Sequence, residues 1–314
     1  MRHMTIRTLG LALSLSGLLA LSQPAIAKPT ISPHWTKADL QVALKDFESS
    51  LRHNPVLRAR VRKHRARLSF RWSEIKNYST ERFDSVALRR DINALMAKTK
   101  VAVMAQSKAK AKATLEGLFA VHRDVEGNKE LRTFLLQLRL VAKASKEVLW
   151  IDTFVRRKML EFGPKSAKQG AGRSIMRVDL VTKTSVANRR GSFSFGDALR
   201  AVQGAKSSLH RWLAKRRGTP KVGMRQVRNR TREHINFFWV NALFEEALFA
   251  SGKIRLMQND FDTKADIWVD AWFTSETQNK GSEVLTIYRL KFGAAGKGKP
   301  WSFALEVEKL PAGK

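Results

Sequence analysis

One short block occurs twice in this chain, and that duplication constrains the fold more than any other feature. Lys76-Asn77-Tyr78-Ser79-Thr80-Glu81-Arg82-Phe83-Asp84 answers Arg228-Asn229-Arg230-Thr231-Arg232-Glu233-His234-Ile235-Asn236. Fainter matches run in the same order at a nearly constant offset of about 150 residues. Ala38-Asp39-Leu40 with Ser49-Ser50-Leu51 answers Gly196-Asp197-Ala198 with Ser207-Ser208-Leu209. Residues 100–104 answer 253–257, residues 134–140 answer 285–291, and Trp150 with Lys158 answers Trp301 with Lys309. An ordered series of weak matches at one offset points to duplication of a structural unit. Each copy reads as helix, strand, helix, then several strands whose short connections make them antiparallel. The expected fold is α/β (α+β), with two similar domains, each a mainly antiparallel sheet packed by helices.

The boundaries follow from composition. Residues 1–27 read as an export signal, with Arg2 and Arg7 at a positive start, a short apolar core over residues 9–21, and Ala25-Ile26-Ala27 as a small-x-small cleavage site. The apolar run is short for a membrane span; retention as an uncleaved anchor is the alternative. A periplasmic location is expected. Residues 28–162 make the first, degenerate copy, 163–191 a basic Gly/Ser linker, and 192–314 the second copy.

Within the copies, Thr36 and Asp39 form a capping-box pair for a helix over residues 36–52. Residues 68–75 alternate as a strand, Asp84 caps a helix to about residue 97, and residues 101–105 make a short strand. The Ala/Lys stretch at 107–113 reads as an exposed helix or linker. Strands are expected at 115–122, 131–141 and 147–156, with an apolar island at 175–181 inside the linker. Then come a helix over 195–213, a strand over 221–228, a helix over 236–250 capped by Asn236, and a left-handed stop at Gly252. Strands at 253–258, 265–274, 284–292 and 301–308 close the chain.

Charge and cysteine content narrow the function classes. Lys and Arg number 59 against 27 Asp and Glu, a net charge of +32, while 43% hydrophobic residues suffice for a core. Such a balance implies an anionic environment or partner: wall polymer, lipopolysaccharide, lipid headgroups, an acidic protein face or nucleic acid. Plain solubility is the equally weighted alternative. The densest basic run, residues 58–67, reads as a solvated loop or helix end. The absence of cysteine excludes disulfides, thiolate metal sites, cysteine nucleophiles and lipid attachment through an N-terminal cysteine.

Catalytic motifs are missing: no Gly-x-Ser-x-Gly, no His-Glu-x-x-His, no Walker-type Gly-Lys-Ser/Thr. No enzyme activity, cofactor or metal is expected. The glycine-rich residues 293–300 lie between strands and read as a hairpin turn. Residues 259–266 lack the glycine and closing glutamate of a calcium loop. Glu245 and Glu246 read as a solvated helix face. Trp239, Trp268, Trp272 and Trp301 read first as core or sheet-face packing, with an aromatic ligand surface as the alternative. In both copies of the block the Asn and hydroxyl residues suit turn chemistry.

Around the second copy the chain resembles the LpoB-type penicillin-binding protein activators, relatives of the CsgG/TolB N-terminal α/β fold. The resemblance rests on Pro220, Val222, Val227-Arg228-Asn229-Arg230-Thr231-Arg232-Glu233-His234-Ile235-Asn236, Leu248 and Ser251-Gly252-Lys253-Ile254-Arg255. Phe193 to Asp197, Ala265-Asp266, Tyr288 and the closing stretch from Trp301 to Lys309 also fit, so it covers about residues 192–310. It implies a non-enzymatic periplasmic regulator that binds and activates a peptidoglycan synthase, a class A penicillin-binding protein. It departs from the family in lacking a cysteine to acylate and in carrying a second copy where the family has a flexible linker. The expected partner-binding residues are Arg228, Asn229, Arg230, Thr231, Arg232, Glu233 and His234. A basic envelope protein holding wall glycan or lipopolysaccharide by charge is the alternative.

Overall fold

The computed structural model describes residues 31–163, 175–180, 191–216, 218–233, 235, 237–259, 263–281, 283–295 and 300–311. The first repeat opens with α1 (Lys37–His53). Thr36 accepts the Asp39 amide while the Asp39 carboxylate accepts the Thr36 amide, so two first-turn donors are satisfied reciprocally. The dense basic run, read as a solvated loop or helix end, is the latter part of a helix and the residues just after it: α2 (Pro55–His64) is capped by Asn54, starts on a proline, and buries Leu57. With a single apolar anchor it leaves no periodic trace in the sequence. Then follow β1 (Leu68–Tyr78), α3 (Ser85–Thr99) capped by Asp84, β2 (Ala102–Met104), and the strands β3 (Ala113–Glu126), β4 (Lys129–Ala142) and β5 (Val148–Phe162). The island inside residues 163–191 is β6 (Ile175–Leu180), antiparallel to β5.

The second repeat runs α4 (Phe195–Leu213), β7 (Lys221–Met224), β8 (Arg228–Asn229), α5 (Phe238–Phe249), β9 (Arg255–Met257), β10 (Ile267–Lys280), β11 (Glu283–Ala295) and β12 (Trp301–Lys309). The expected strand over 221–228 is interrupted, and its end pairs separately with β10. The cap expected at Asn236 falls outside the described residues; α5 starts after Phe237, whose own side chain makes no capping bond. Gly252 has φ of 64° just past the helix end.

The strand orders are β2-β1-β3-β4-β5-β6 and β9-β7-β10-β11-β12. In each sheet one strand lies parallel to two neighbours, β1 to β2 and β3, β7 to β9 and β10. The remaining long strands are antiparallel. The two halves thus share one topology, a mixed α/β plan. Details recur with it. Trp150 donates to Ser50 at 2.9 Å and Trp301 to Ser208 at 3.0 Å. Lys158 meets Asp39 at 2.7 Å and Lys309 meets Asp197 at 2.7 Å, all four buried.

Helices α1 and α3 cover one face of the first sheet, around Phe47, Ile92, Phe119, Phe134 and Trp150. Its other face packs on α4 and α5: Leu135, Val141, Val148 and Ile151 share a core with Phe195, Trp239, Val240, Phe244, Phe273 and Leu290. The layers therefore run helices, sheet, helices, sheet. No described helix is long and apolar enough to cross a membrane.

Candidate docking face

The corner that carries the repeated block is held by its own side chains. Asn229 accepts the Thr231 amide at 2.9 Å and the Thr231 hydroxyl at 2.8 Å, and Thr231 in turn accepts the Glu233 amide at 3.1 Å. Asn229 also donates to the Glu233 carbonyl at 2.7 Å. The first repeat makes the same four bonds with Asn77, Ser79 and Glu81. Asn229, Thr231 and the Glu233 backbone are therefore turn architecture, the local side-chain bonding that Asn and Thr favour. The Glu233 carboxylate takes the Tyr288 hydroxyl, and burial together with that carboxylate pushes the phenol pKa up, which keeps it a donor. In the first repeat Glu81 instead holds Arg132, Arg123 and His34. Arg228, Arg230 and Arg232 are exposed; His234 lies outside the described residues.

This corner borders a sheet face. Arg228 sits opposite Trp272 across β8 and β10, and the Arg230 amide donates to the Phe273 carbonyl at 2.9 Å. Alternation along β10 sends Val269, Ala271 and Phe273 into the core and leaves Trp268, Asp270 and Trp272 half-buried on the opposite side. Glycines make room for both rings. A Cβ on Gly223 would stand 2.5 Å from the Trp268 ring, and one on Gly293 3.2 Å from the Trp272 ring. The Arg225 guanidinium lies 5.1 Å from the centre of the Trp268 ring and bonds both Asp270 oxygens at 3.2 and 3.1 Å. Arg289 bridges Glu276 and Glu306. Beside Trp272 the small residues Gly293, Ser302 and Ala304 leave a shallow trough of about 490 Å³.

The registers of the two sheets place Leu118 at the position of Trp272, Leu135 at Arg289, Ile151 at Ser302 and Val155 at Glu306. On the first sheet those four apolar side chains pack against the core built on α4 and α5. On the second sheet no described element covers the corresponding face. Paired tryptophans within a charged rim match the composition of a non-obligate protein interface, where Trp and Arg anchor binding.

Sequence reasoning reached the basic corner but not Arg225, Arg289 or the union of Trp268 and Trp272 on one face. The alternation at 268, 270 and 272 was the available signal. Trp239 and Trp301 are buried in the core. Among the described residues no group of His, Asp and Glu could hold a metal ion.

No protein-family model matches the chain, and no curated protein does. Among solved structures, the LpoB C-terminal domain from Salmonella enterica is similar at 8% identity and a TM-score of 0.24, covering 35% of this chain and 97% of that one. A lipoprotein from Neisseria meningitidis is similar at 10% identity and a TM-score of 0.22, covering 29% of this chain and 83% of its own. A hypothetical protein from Chlamydia trachomatis is similar at 12% and 0.21, covering 30% and 74%. Each likeness is low in identity and in score, and none of these proteins lends this chain its function.

Proposed function

We propose that this protein is an exported, non-catalytic docking protein of the cell envelope. It binds its partner through the open face of the second sheet and the rim of Arg228, Arg230 and Arg232. The partner is a peptidoglycan synthase of the penicillin-binding protein class, whose activity it raises. The observation that carries the docking reading is the uncovered face itself. The first sheet seats α4 and α5 at this position, while the second presents Trp268 and Trp272 there. An arginine rim would speed encounter with an acidic partner surface more than it deepens final affinity. The partner class and the envelope setting come from the resemblance around residues 220–255 and from the export signal read in residues 1–27.

Affinity capture of the tagged protein from envelope extract at physiological salt tests this reading. Recovery of a penicillin-binding synthase is expected, and Trp272→Ala should weaken it by about 30-fold or more, the loss typical of an interface anchor. Recovery of anionic glycan alone, released by moderate salt, would overturn it in favour of a second reading, a polyanion-binding envelope protein. That alternative draws on the exposed Arg58, Arg62, Lys63, Arg65 and Arg67 on and just after α2.

A further inference from the structure

A second site lies in the seam between the repeats. There β1 and the first-sheet strands β3 and β4 meet α5 and the chain after β9 around a cavity of about 320 Å³, within the size range of small-molecule pockets. Local irregularity opens it. The β1–β3 ladder shifts register between Trp72 and Ile75, so Ser73 and Glu74 bulge out at the mouth. Bulges recur where a strand must re-aim side chains beside a site. The stacked rings of Tyr78 and Phe238, 3.7 Å between centres, join the two repeats across one wall.

The inner end is charged. Arg139 donates from Nε to Glu116 at 2.5 Å and from Nη1 to Glu245 at 3.3 Å, and Gln258 donates to the other Glu116 oxygen at 2.8 Å. Two carboxylates thus share one guanidinium. Glu116 takes the short bond and the amide, and Glu245 takes the long one. Burial pushes the Glu245 carboxyl up, Arg139 pulls it down, and Glu116 adds to the rise. A buried carboxylate short of counter-charge is costly unless a cation completes it. A metal ion would have to displace the Arg139 guanidinium, whereas an ammonium needs only a carboxylate oxygen and the neighbouring amides of Gln137 and Asn241. At the mouth the exposed Lys76 offers the opposite charge.

We propose that this cleft binds a small zwitterion, an amino acid or short peptide, with its free amine on Glu245 and its carboxylate toward Lys76. Arg225 borders both this cleft and the open face of the second sheet, but neither Glu245 nor Lys76 lies on that face. Titration calorimetry of the full chain with L-alanine, the dipeptide Ala-Ala and N-acetyl-L-alanine tests it. Heat of binding is expected for at least one of the free amines, with at least tenfold weaker binding once the amine is acetylated. Glu245→Gln should weaken binding at least tenfold. Because that change also disturbs Arg139, Ser73→Trp serves as an independent variant: it plugs the mouth from an exposed position, and should abolish binding with an unchanged melting temperature. No heat from either free amine up to millimolar concentration, equal binding of the acetylated compound, or full binding by both variants would overturn the assignment.

Discussion

Asp197 has no exposed side-chain surface, yet its carboxylate meets the Lys309 ammonium at 2.7 Å, the Ser194 amide at 2.9 Å and the Ser194 hydroxyl at 2.8 Å. Burial alone would push its pKa up; Lys309 and the two Ser194 donors outweigh that and hold it below the ordinary carboxylate value. A carboxyl depressed in the folded state stabilises the fold above its unfolded pKa and loses that contribution as pH falls through the folded value. Asp197 should therefore contribute to acid unfolding below about pH 4. Removing the ammonium leaves the buried anion with only the exposed Arg200 guanidinium, 2.7 Å from its other oxygen, as counter-charge. Because Arg200 remains, Lys309→Met is expected to cost at most about 3–5 kcal/mol, with part recovered in the Asp197→Asn/Lys309→Met double variant. Urea unfolding of the three proteins checks both expectations. The sequence made Asp39 legible as a capping residue, and Lys158 and Lys309 as markers of the repeat. That the lysines close on the capping aspartates was not legible. The contact joins a helix start to the last long strand of its repeat, and spacing carries no information at that range.

Helix α5 illustrates the same limit one scale up. Its run Phe238-Trp-Val-Asn-Ala-Leu-Phe-Glu-Glu-Ala-Leu-Phe249 is apolar nearly all round. A helix of that kind is covered on several sides rather than surface-bound. The helix was legible; the second layer over it was not, because nothing local to α5 announces that the back of the first sheet lies there. Glu245 and Glu246, expected on a solvated face, consequently sit in the seam. Burial pushes Glu246 up to about 7, with a Thr153 bond opposing and the Asp152 charge adding to the rise. Its folded pKa thus lies above its ordinary value of 4.5, and the native state keeps a proton that the unfolded chain releases. Stability should fall as pH rises from 4.5 to 7 and then level off. Glu246→Gln should flatten that slope and raise stability at pH 8 by at most about 3 kcal/mol. Urea midpoints of both proteins at pH 5 and pH 8 measure the difference. The docking face was half-legible for a related reason: alternation along β10 marks a strand with two sides, but which side is left uncovered depends on where the other repeat packs.

For the whole molecule, the shared core decides how the chain behaves as a thermodynamic object. Two copies joined by a basic Gly/Ser stretch suggest beads that unfold separately. The layers oppose that picture: Leu135, Val141, Val148 and Ile151 belong to the first sheet but are buried in the core built on α4 and α5. The Gln137 amide bonds the Ala242 carbonyl at 2.7 Å, and Arg255 bonds both Glu147 oxygens across the same seam. Separating the repeats would bare Phe195, Trp239 and Phe238 on one side and Leu135 and Ile151 on the other, at roughly 1.5–3 kcal/mol for each side chain fully returned to water. Calorimetry of the full chain is therefore expected to give one transition with matching calorimetric and van't Hoff enthalpies. Leu135→Ala, a substitution in the first repeat, should cost about 2–5 kcal/mol and move that transition as a whole. A fragment of residues 192–314 should bind a hydrophobic dye that the full chain does not, because the faces of α4 and α5 that meet the first sheet would stand in water. Two resolved peaks, with only the one assigned to the first repeat displaced by Leu135→Ala, would mean that the repeats are held by their linker rather than by a common core.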